Sequence, residues 1–323
     1  MNKRKFIKIL RWLGWILIIQ FVLLNISAAF HASRLIHLGT PEEKEAVIKN
    51  PPAKNIFAKT WRLFTGYRYY KEAQQNLPDF PYTVIHLSGP DNILIEAWYS
   101  KVDSAAKGTV ILFHGLMGNK SFVIAQAKEF RNKGYNVLMP DIRAHGSSGG
   151  KTTSFGYYEA EDVKTAFDYI RSQGEKNINL WGISMGAVEI MKAIADYNLP
   201  ASAILLEMPF GSLQDHVKAR LGNLGFPRQP FGFVITFWIG VESGFNGPGF
   251  QTTKYAQSIN CPVLLQYGTK DQLVSRKEID DIYNAIPSVN KKLVVYPYAY
   301  HEPLIQRDPE RWNKEIDEFL GIK

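Results

Sequence analysis

One rhythm constrains this chain more than any other feature. From Thr109 onward, short and wholly apolar runs alternate with stretches of helical period. The runs are TVILFHG, YNVLMPD, INLWGIS, SAILLEM, PVLLQYGTKD and KLVVYPY. Helices are expected near Ser121–Lys133, Tyr157–Ser172, Met185–Tyr197, Arg276–Ala285 and Pro309–Leu320. A strand with no polar side must be covered on both faces, and strands separated by helices run parallel. Ahead of this core, Tyr82–Ser88 and Leu94–Val102 alternate in polarity around Gly-Pro-Asp-Asn, the pattern of a hairpin. The expectation is an α/β fold with a mostly parallel, eight-stranded sheet and helices on both faces.

The segment Pro209–Tyr255 breaks the rhythm. It is rich in Gly and Pro, yet it carries Phe210, Phe226, Phe231, Phe233, Phe237, Trp238, Phe245 and Phe250. Such a stretch is too broken for a strand or one continuous helix. Its apolar content suits a lid over an apolar pocket, taken here as residues 209–255. An ordinary loop excursion packed on the core is the plainer alternative.

Chemistry concentrates where the runs end. Gly182-Ile183-Ser184-Met185-Gly186 follows a strand and opens a helix, the setting of a nucleophile elbow. Small residues two before and two after the serine let strand and helix approach. His114-Gly115 ends the first parallel strand, so the turn can aim the Leu116 N–H at a tetrahedral oxyanion. The N–H of Met185 would be the second donor. Asp271 follows PVLLQYGTK, and His301 lies in YPYAYHEPL after the last strand. Carboxyl ends of strands are where open α/β sheets gather reactive groups. The order Ser184, Asp271, His301 is the order of serine, acid and base in α/β-hydrolases. His301 would accept the Ser184 proton, and Asp271 would orient the imidazole.

Competing side chains fit less well. His31 and His37 sit beside the N-terminal apolar run, His86 in the hairpin and His216 in the insertion. His145 is expected to shape its Gly/Ser loop rather than act as a base. Glu207, ending the SAILLEM strand, is the alternative acid. His301-Glu302 lacks the second histidine of a metalloprotease helix, so no metal is expected. With neither a dinucleotide glycine motif nor a phosphate-loop lysine, no cofactor is expected either. The lone Cys261 forms no intrachain disulfide and is read as inert packing.

From about Tyr82 to Leu320, the chain resembles the α/β-hydrolase superfamily. Within it, the closest likeness is to the serine aminopeptidase-like branch, which includes monoacylglycerol lipases and related carboxylesterases. HGLMG resembles that branch's oxyanion turn, DIRAHGSSGG its D-x-R-G-H-G-x-S-x-G loop, and GISMGA its elbow. YGTKDQLVS and YHEPL are similar to its acid and histidine segments. Two positions depart from the pattern: Ile183, where the branch often has His, and Ala144, where its loop has Gly. The resemblance implies the fold and a Ser184–Asp271–His301 triad. It leaves the substrate open, because one fold hosts many reactions.

The amino-terminal end carries a different message. Trp12–Phe30 reads WLGWILIIQFVLLNISAAF, 19 residues without a charge and long enough to cross a bilayer. Lys3, Arg4, Lys5, Lys8 and Arg11 precede it, which predicts a cytoplasmic N-terminus (1–11) and an extracytoplasmic hydrolase domain. A retained single-pass anchor in the cell membrane (12–30) is favoured over a signal peptide cleaved near Ala29, although Ser27-Ala28-Ala29 fits a cleavage site. Residues 31–80 read as a linker, and 81–323 as the hydrolase domain. Of the net charge of +8, +6 lies before residue 41, leaving +2 for the rest. That distribution is an orientation signal, and nucleic acid is not an expected partner. The expected function is a membrane-anchored serine hydrolase acting on a small-molecule or lipid carboxyl ester. A peptidase or amidase of the same fold and a catalytically silent, membrane-anchored binding protein are the alternatives.

Overall fold

The computed structural model describes residues 3–51, 55–103 and 105–322. Its strands are β1 (Thr83–Ser88), β2 (Leu94–Ser100), β3 (Thr109–Phe113), β4 (Asn136–Pro140), β5 (Ile178–Ile183), β6 (Ala203–Glu207), β7 (Val263–Gly268) and β8 (Lys291–Tyr296). They form one eight-stranded sheet in the order β1-β2-β4-β3-β5-β6-β7-β8. The pairs β1–β2 and β2–β4 are antiparallel and all others parallel. Every residue of β3, β6 and β7 is buried. Because strand side chains alternate between faces, that burial requires cover on both.

The helices are α1 (Lys3–Ile36), α2 (Pro41–Lys49), α3 (Ile56–Thr65), α4 (Ile124–Asn132), α5 (Glu159–Ser172), α6 (Met185–Tyr197), α7 (Leu213–Asn223), α8 (Phe231–Ser243), α9 (Thr252–Ala256), α10 (Arg276–Ala285), α11 (Leu304–Arg307) and α12 (Pro309–Leu320). Helices α5, α6, α9 and α10 pack in series, while α4 meets α12 through Phe130 and Trp312, ring centroids 5.6 Å apart. Local chemistry sets several ends. Ser275 and Glu278 form a capping box on α10, Ser212 caps α7, and Asp308-Pro309 starts α12.

Register aligns the reactive edge. Phe113 lies opposite Gly182, Ile183 opposite Glu207, and Gly268 opposite Tyr296. The carboxyl ends of β3, β5, β6, β7 and β8 therefore share one edge. After β3 the chain winds outward to β4 and then returns to β5 on the other side. The strand order therefore reverses between β3 and β5, and the turns after these two strands stand side by side.

Two stretches differ from their sequence reading. The insertion 209–255 is helical, with α7, α8 and α9 separated where Gly225, Pro227, Pro230 and the Gly244–Gly249 segment interrupt. Residues 31–80, expected as a linker, are built into the domain. Helix α1 runs on to Ile36, and Ala28, Ala32 and Ile36 are fully buried against the domain. Glu72 N donates to Met117 O, and Asn119 Nδ2 to Glu72 O, so the segment after α3 crosses the turn following β3. The physical reason is that the apolar run ends in small residues, which let α1 pack closely on α3 and α8.

Candidate active site

The elbow is shaped by steric necessity. Ser184 joins β5 directly to α6 at φ 55° and ψ −115°, a conformation that costs an L-residue on the order of 1–3 kcal/mol. A Cβ on Gly182 would stand 2.5 Å from Gly186 O, and one on Gly186 would stand 2.4 Å from Phe113 O. Strand and helix could not approach this closely with any larger residue at either position. Ser184 N donates to Glu207 O at 2.8 Å, fixing the elbow to the end of β6.

Asp271 and His301 meet because the loops after β7 and β8 are laced together. Lys270 N donates to Ala299 O and Tyr298 N to Thr269 Oγ1. Asp271 Oδ1 accepts the Leu273 and Val274 amides at 2.7 and 2.9 Å, leaving Oδ2 for His301 Nδ1 at 2.7 Å. His301 Nε2 lies 2.9 Å from Ser184 Oγ. The Asp271 carboxylate is sealed from solvent and the imidazole is partly open. Residues 117 positions apart in sequence thus form one hydrogen-bonded series.

The turn after β3 closes over the serine. A Cβ on Gly115 would lie 3.5 Å from Ser184 Cβ, placing this turn against the elbow. Gly118 N donates to Gly115 O, and Met117 takes φ 67°. Among the described residues, neither the Leu116 nor the Met185 amide donates to a protein acceptor. His114 is fully buried beneath the turn, with Nδ1 2.8 Å from Gly115 O and Nε2 accepting from Ile142 N. Burial pushes its pKa down, so it stays neutral and holds the turn through one tautomer. Asp141, also fully buried, accepts from Lys120 N, Lys120 Nζ and Ser147 N. It thereby ties the DIRAHGSSGG loop to the turn. Ala144 takes φ 61°, the left-handed conformation that explains a glycine at this place in the related pattern.

The competing side chains have other partners. His145 is buried with Nδ1 against Arg143 O, and burial drives its pKa to about 3. His216 is buried against Phe155 and Phe210, and its Nε2 accepts from Arg220 Nε at 2.7 Å. Glu207 makes no bond to His301. Its Oε2 accepts from Leu304 N at 3.1 Å and its Oε1 from Trp312 Nε1 at 2.7 Å. The same residue thus holds the elbow through its backbone and the segment after His301 through its side chain. Sequence reasoning missed this brace, and no spacing signal marks it. Burial raises the Glu207 carboxyl to about 7. Cys261 is raised to about 11 by burial, which leaves it a poor nucleophile.

A mainly parallel sheet whose carboxyl edge presents a serine elbow, a histidine and a carboxylate is an α/β-hydrolase. The model of the serine aminopeptidase (S33) family matches residues 104–228 and 249–308, more than half of the chain, and the chain belongs to that family. Protein YqkD of Bacillus subtilis is 26% identical over 216 residues, 66% of this chain and 70% of that one. The lysophosphatidylserine lipase ABHD12 of Mus musculus is 25% identical over 247 residues, 70% of this chain and 59% of that one. The chain therefore spans about three fifths of that lipase's length. Among solved structures, the esterase Pf2001 of Pyrococcus furiosus superimposes with a TM-score of 0.64 at 25% identity, covering 78% of this chain and 95% of that one. The chain is a lipase- or esterase-like hydrolase with an N-terminal helix long and apolar enough to cross a membrane.

Proposed function

We propose that this protein is a membrane-anchored serine hydrolase of carboxyl esters. The observation that carries the reading is the Ser184–His301–Asp271 series, with gaps of 2.9 and 2.7 Å. His301 Nε2 takes the Ser184 proton as Oγ attacks the ester carbonyl, and Asp271 keeps the other imidazole nitrogen protonated and oriented. The amides of Leu116 and Met185 receive the oxyanion. Collapse of the tetrahedral intermediate expels the alcohol, which takes its proton from His301. Water, activated by the same nitrogen, then releases the acid from Ser184. The lipase and esterase among the relatives support an ester, and a lysophospholipid is the first candidate because one relative is a lysophosphatidylserine lipase.

Helix α1 is read as the retained anchor, with its basic start in the cytoplasm and the hydrolase domain on the opposite side. Cleavage near Ala29 would strip Ser27 and Ala28 from a packed interface, which supports retention. The residues 209–255 are read as the lid, because they follow directly on β6, whose last residue, Glu207, accepts the Ser184 amide. A fluorophosphonate probe tests the mechanism: labelling of the folded protein and its loss in Ser184→Ala are expected. Absence of labelling favours the silent-scaffold alternative. A panel of acyl esters graded by chain length, run beside aminoacyl amides, tests the substrate class, and faster amide turnover contradicts the ester reading. Protease protection in intact cells tests the topology; a domain reached only after the cytoplasmic membrane is breached overturns the orientation.

A further inference from the structure

Two elements outside the family match, α3 and α8, have an unusual polarity. On α3, Phe57 is 83% exposed and Trp61 is 59% exposed, one turn apart on the same face. That stripe continues through Phe64, whose ring lies 6.4 Å from Phe30 of α1. On α8, Phe233, Phe237 and Val241 are exposed at spacings that make a second stripe. Both helices grip the same part of α1. Ser27 Oγ donates to Phe64 O, His31 Nε2 lies 3.0 Å from Leu63 O, and Trp238 Nε1 of α8 donates to Asn25 Oδ1 at 3.2 Å.

The last bond fixes what covers these faces. If Trp12–Phe30 is the bilayer span, Asn25 lies about 7.5 Å inside its far end at the helical rise of 1.5 Å. A tryptophan of α8 that reaches Asn25 must lie at that depth too. Helix α1 continues unbroken to Ile36, so no flexible joint lets the domain lift away from the exit point. We propose that α3 and α8 insert their apolar stripes into the leaflet from which α1 emerges, seating the hydrolase domain and its α7–α9 insertion on the lipid surface. The occupant is the bilayer itself, continuous with the lipid around α1. This inference rests on the reading of α1 as the membrane anchor.

Spin labels on the full-length chain separate the two claims. In a Cys261→Ser background, single labels are placed by Phe57→Cys, Phe237→Cys, Phe21→Cys and Val289→Cys. The variants are reconstituted into vesicles of equal parts phosphatidylcholine and phosphatidylglycerol. Phe21 reports the anchor, and Val289, fully exposed in a loop before β8, is the aqueous control. Expected are oxygen-accessible, nickel-shielded labels at positions 21, 57 and 237, and a nickel-accessible label at 289. Aqueous labels at 57 and 237 with a lipid-buried label at 21 overturn this inference and leave the anchor standing. An aqueous label at 21 overturns both. Labels at 57 or 237 shielded from both reagents and broadened by a neighbouring spin assign the face to a second copy instead, which also overturns it. A second measurement reads function: Phe57→Ser combined with Trp61→Ser is expected to lower turnover of a vesicle-embedded ester about tenfold, with turnover of a short soluble ester unchanged. Equal turnover of the embedded ester by variant and parent overturns the seating.

Discussion

The sheet core and the outward faces of α1, α3 and α8 handle apolar side chains in opposite ways. In the core, Ile111, Leu112, Phe113 and Trp181 are fully buried, and polar groups such as Asp141 and Glu207 have their bonds filled by named partners. Along α1, most large side chains from Phe6 to Phe30 are exposed, Leu24 being partly buried, and burial begins with Ser27, Ala28, His31 and Ala32 before it reaches Ile36. One preference for leaving water produces both arrangements. The core satisfies it with protein, and in the proposed seating the α1 assembly satisfies it with lipid. The lesson is that the direction in which apolar residues face reports the solvent a region is built for.

Substitutions that sharpen this contrast rank by size. The largest effect is expected from Ser184→Ala, which should lower kcat by about 10⁶ and abolish fluorophosphonate labelling with circular dichroism unchanged. Residual turnover close to the parent's would remove Ser184 from the mechanism. Next, Asp271→Asn should cost roughly 10⁴ in kcat, because the imidazole adopts the wrong tautomer. Near-normal steady-state rates in that variant would reassign the acid. Third, Gly186→Ala places a methyl 2.4 Å from Phe113 O, so the elbow must open. A loss of about 2–4 kcal/mol in denaturant unfolding is expected, and parent-like stability would contradict the close approach of β5, α6 and β3.

Smaller effects test charge and the outward face. The Glu207 carboxyl rises from 4.5 to about 7 in the folded protein, chiefly through burial. The folded state then keeps a proton that the unfolded chain has already lost. Its stabilising contribution is complete below pH 4.5, declines as pH rises toward about 7, and levels off above. Glu207→Gln should flatten the stability profile across that window, and a slope equal to the parent's in denaturant melts would assign the titration elsewhere. The smallest change is expected at the exposed apolar stripe of α3. In detergent, Phe57→Ser should shift unfolding by no more than about 0.5 kcal/mol, whereas a loss of several would mean that Phe57 packs within the protein.

Much of the core and site was legible from the chain. Helices α6, α10 and α12 fall at the expected bounds, since each begins at a strong local signal: the elbow, a Ser-x-x-Glu box and Asp-Pro. The strands were legible because a run buried on both faces has no polar positions. The candidate site residues could be picked out because Gly-x-Ser-x-Gly and strand-end residues are local features. Glu207 was read only as an alternative acid, since its partners, Leu304 and Trp312, lie 97 and 105 residues away. Residues 31–80 read as a linker because their contacts are long-range, such as Glu72 with Met117. Helix α8 was hidden by the Gly and Pro around it.

By itself, the sequence determined the alternating strand–helix order, the elbow that forces Ser184 into an unusual conformation, and a terminal segment apolar enough to span a bilayer. Each follows from near-neighbour patterns: periodicity, turn chemistry and uninterrupted hydropathy. Tertiary structure alone decided which carboxylate faces His301, how Glu207 braces the two reactive loops, and that the last turns of α1 pack on the domain. Those outcomes depend on which distant groups share a hydrogen bond or a buried face, and pairing across space leaves no period in the chain.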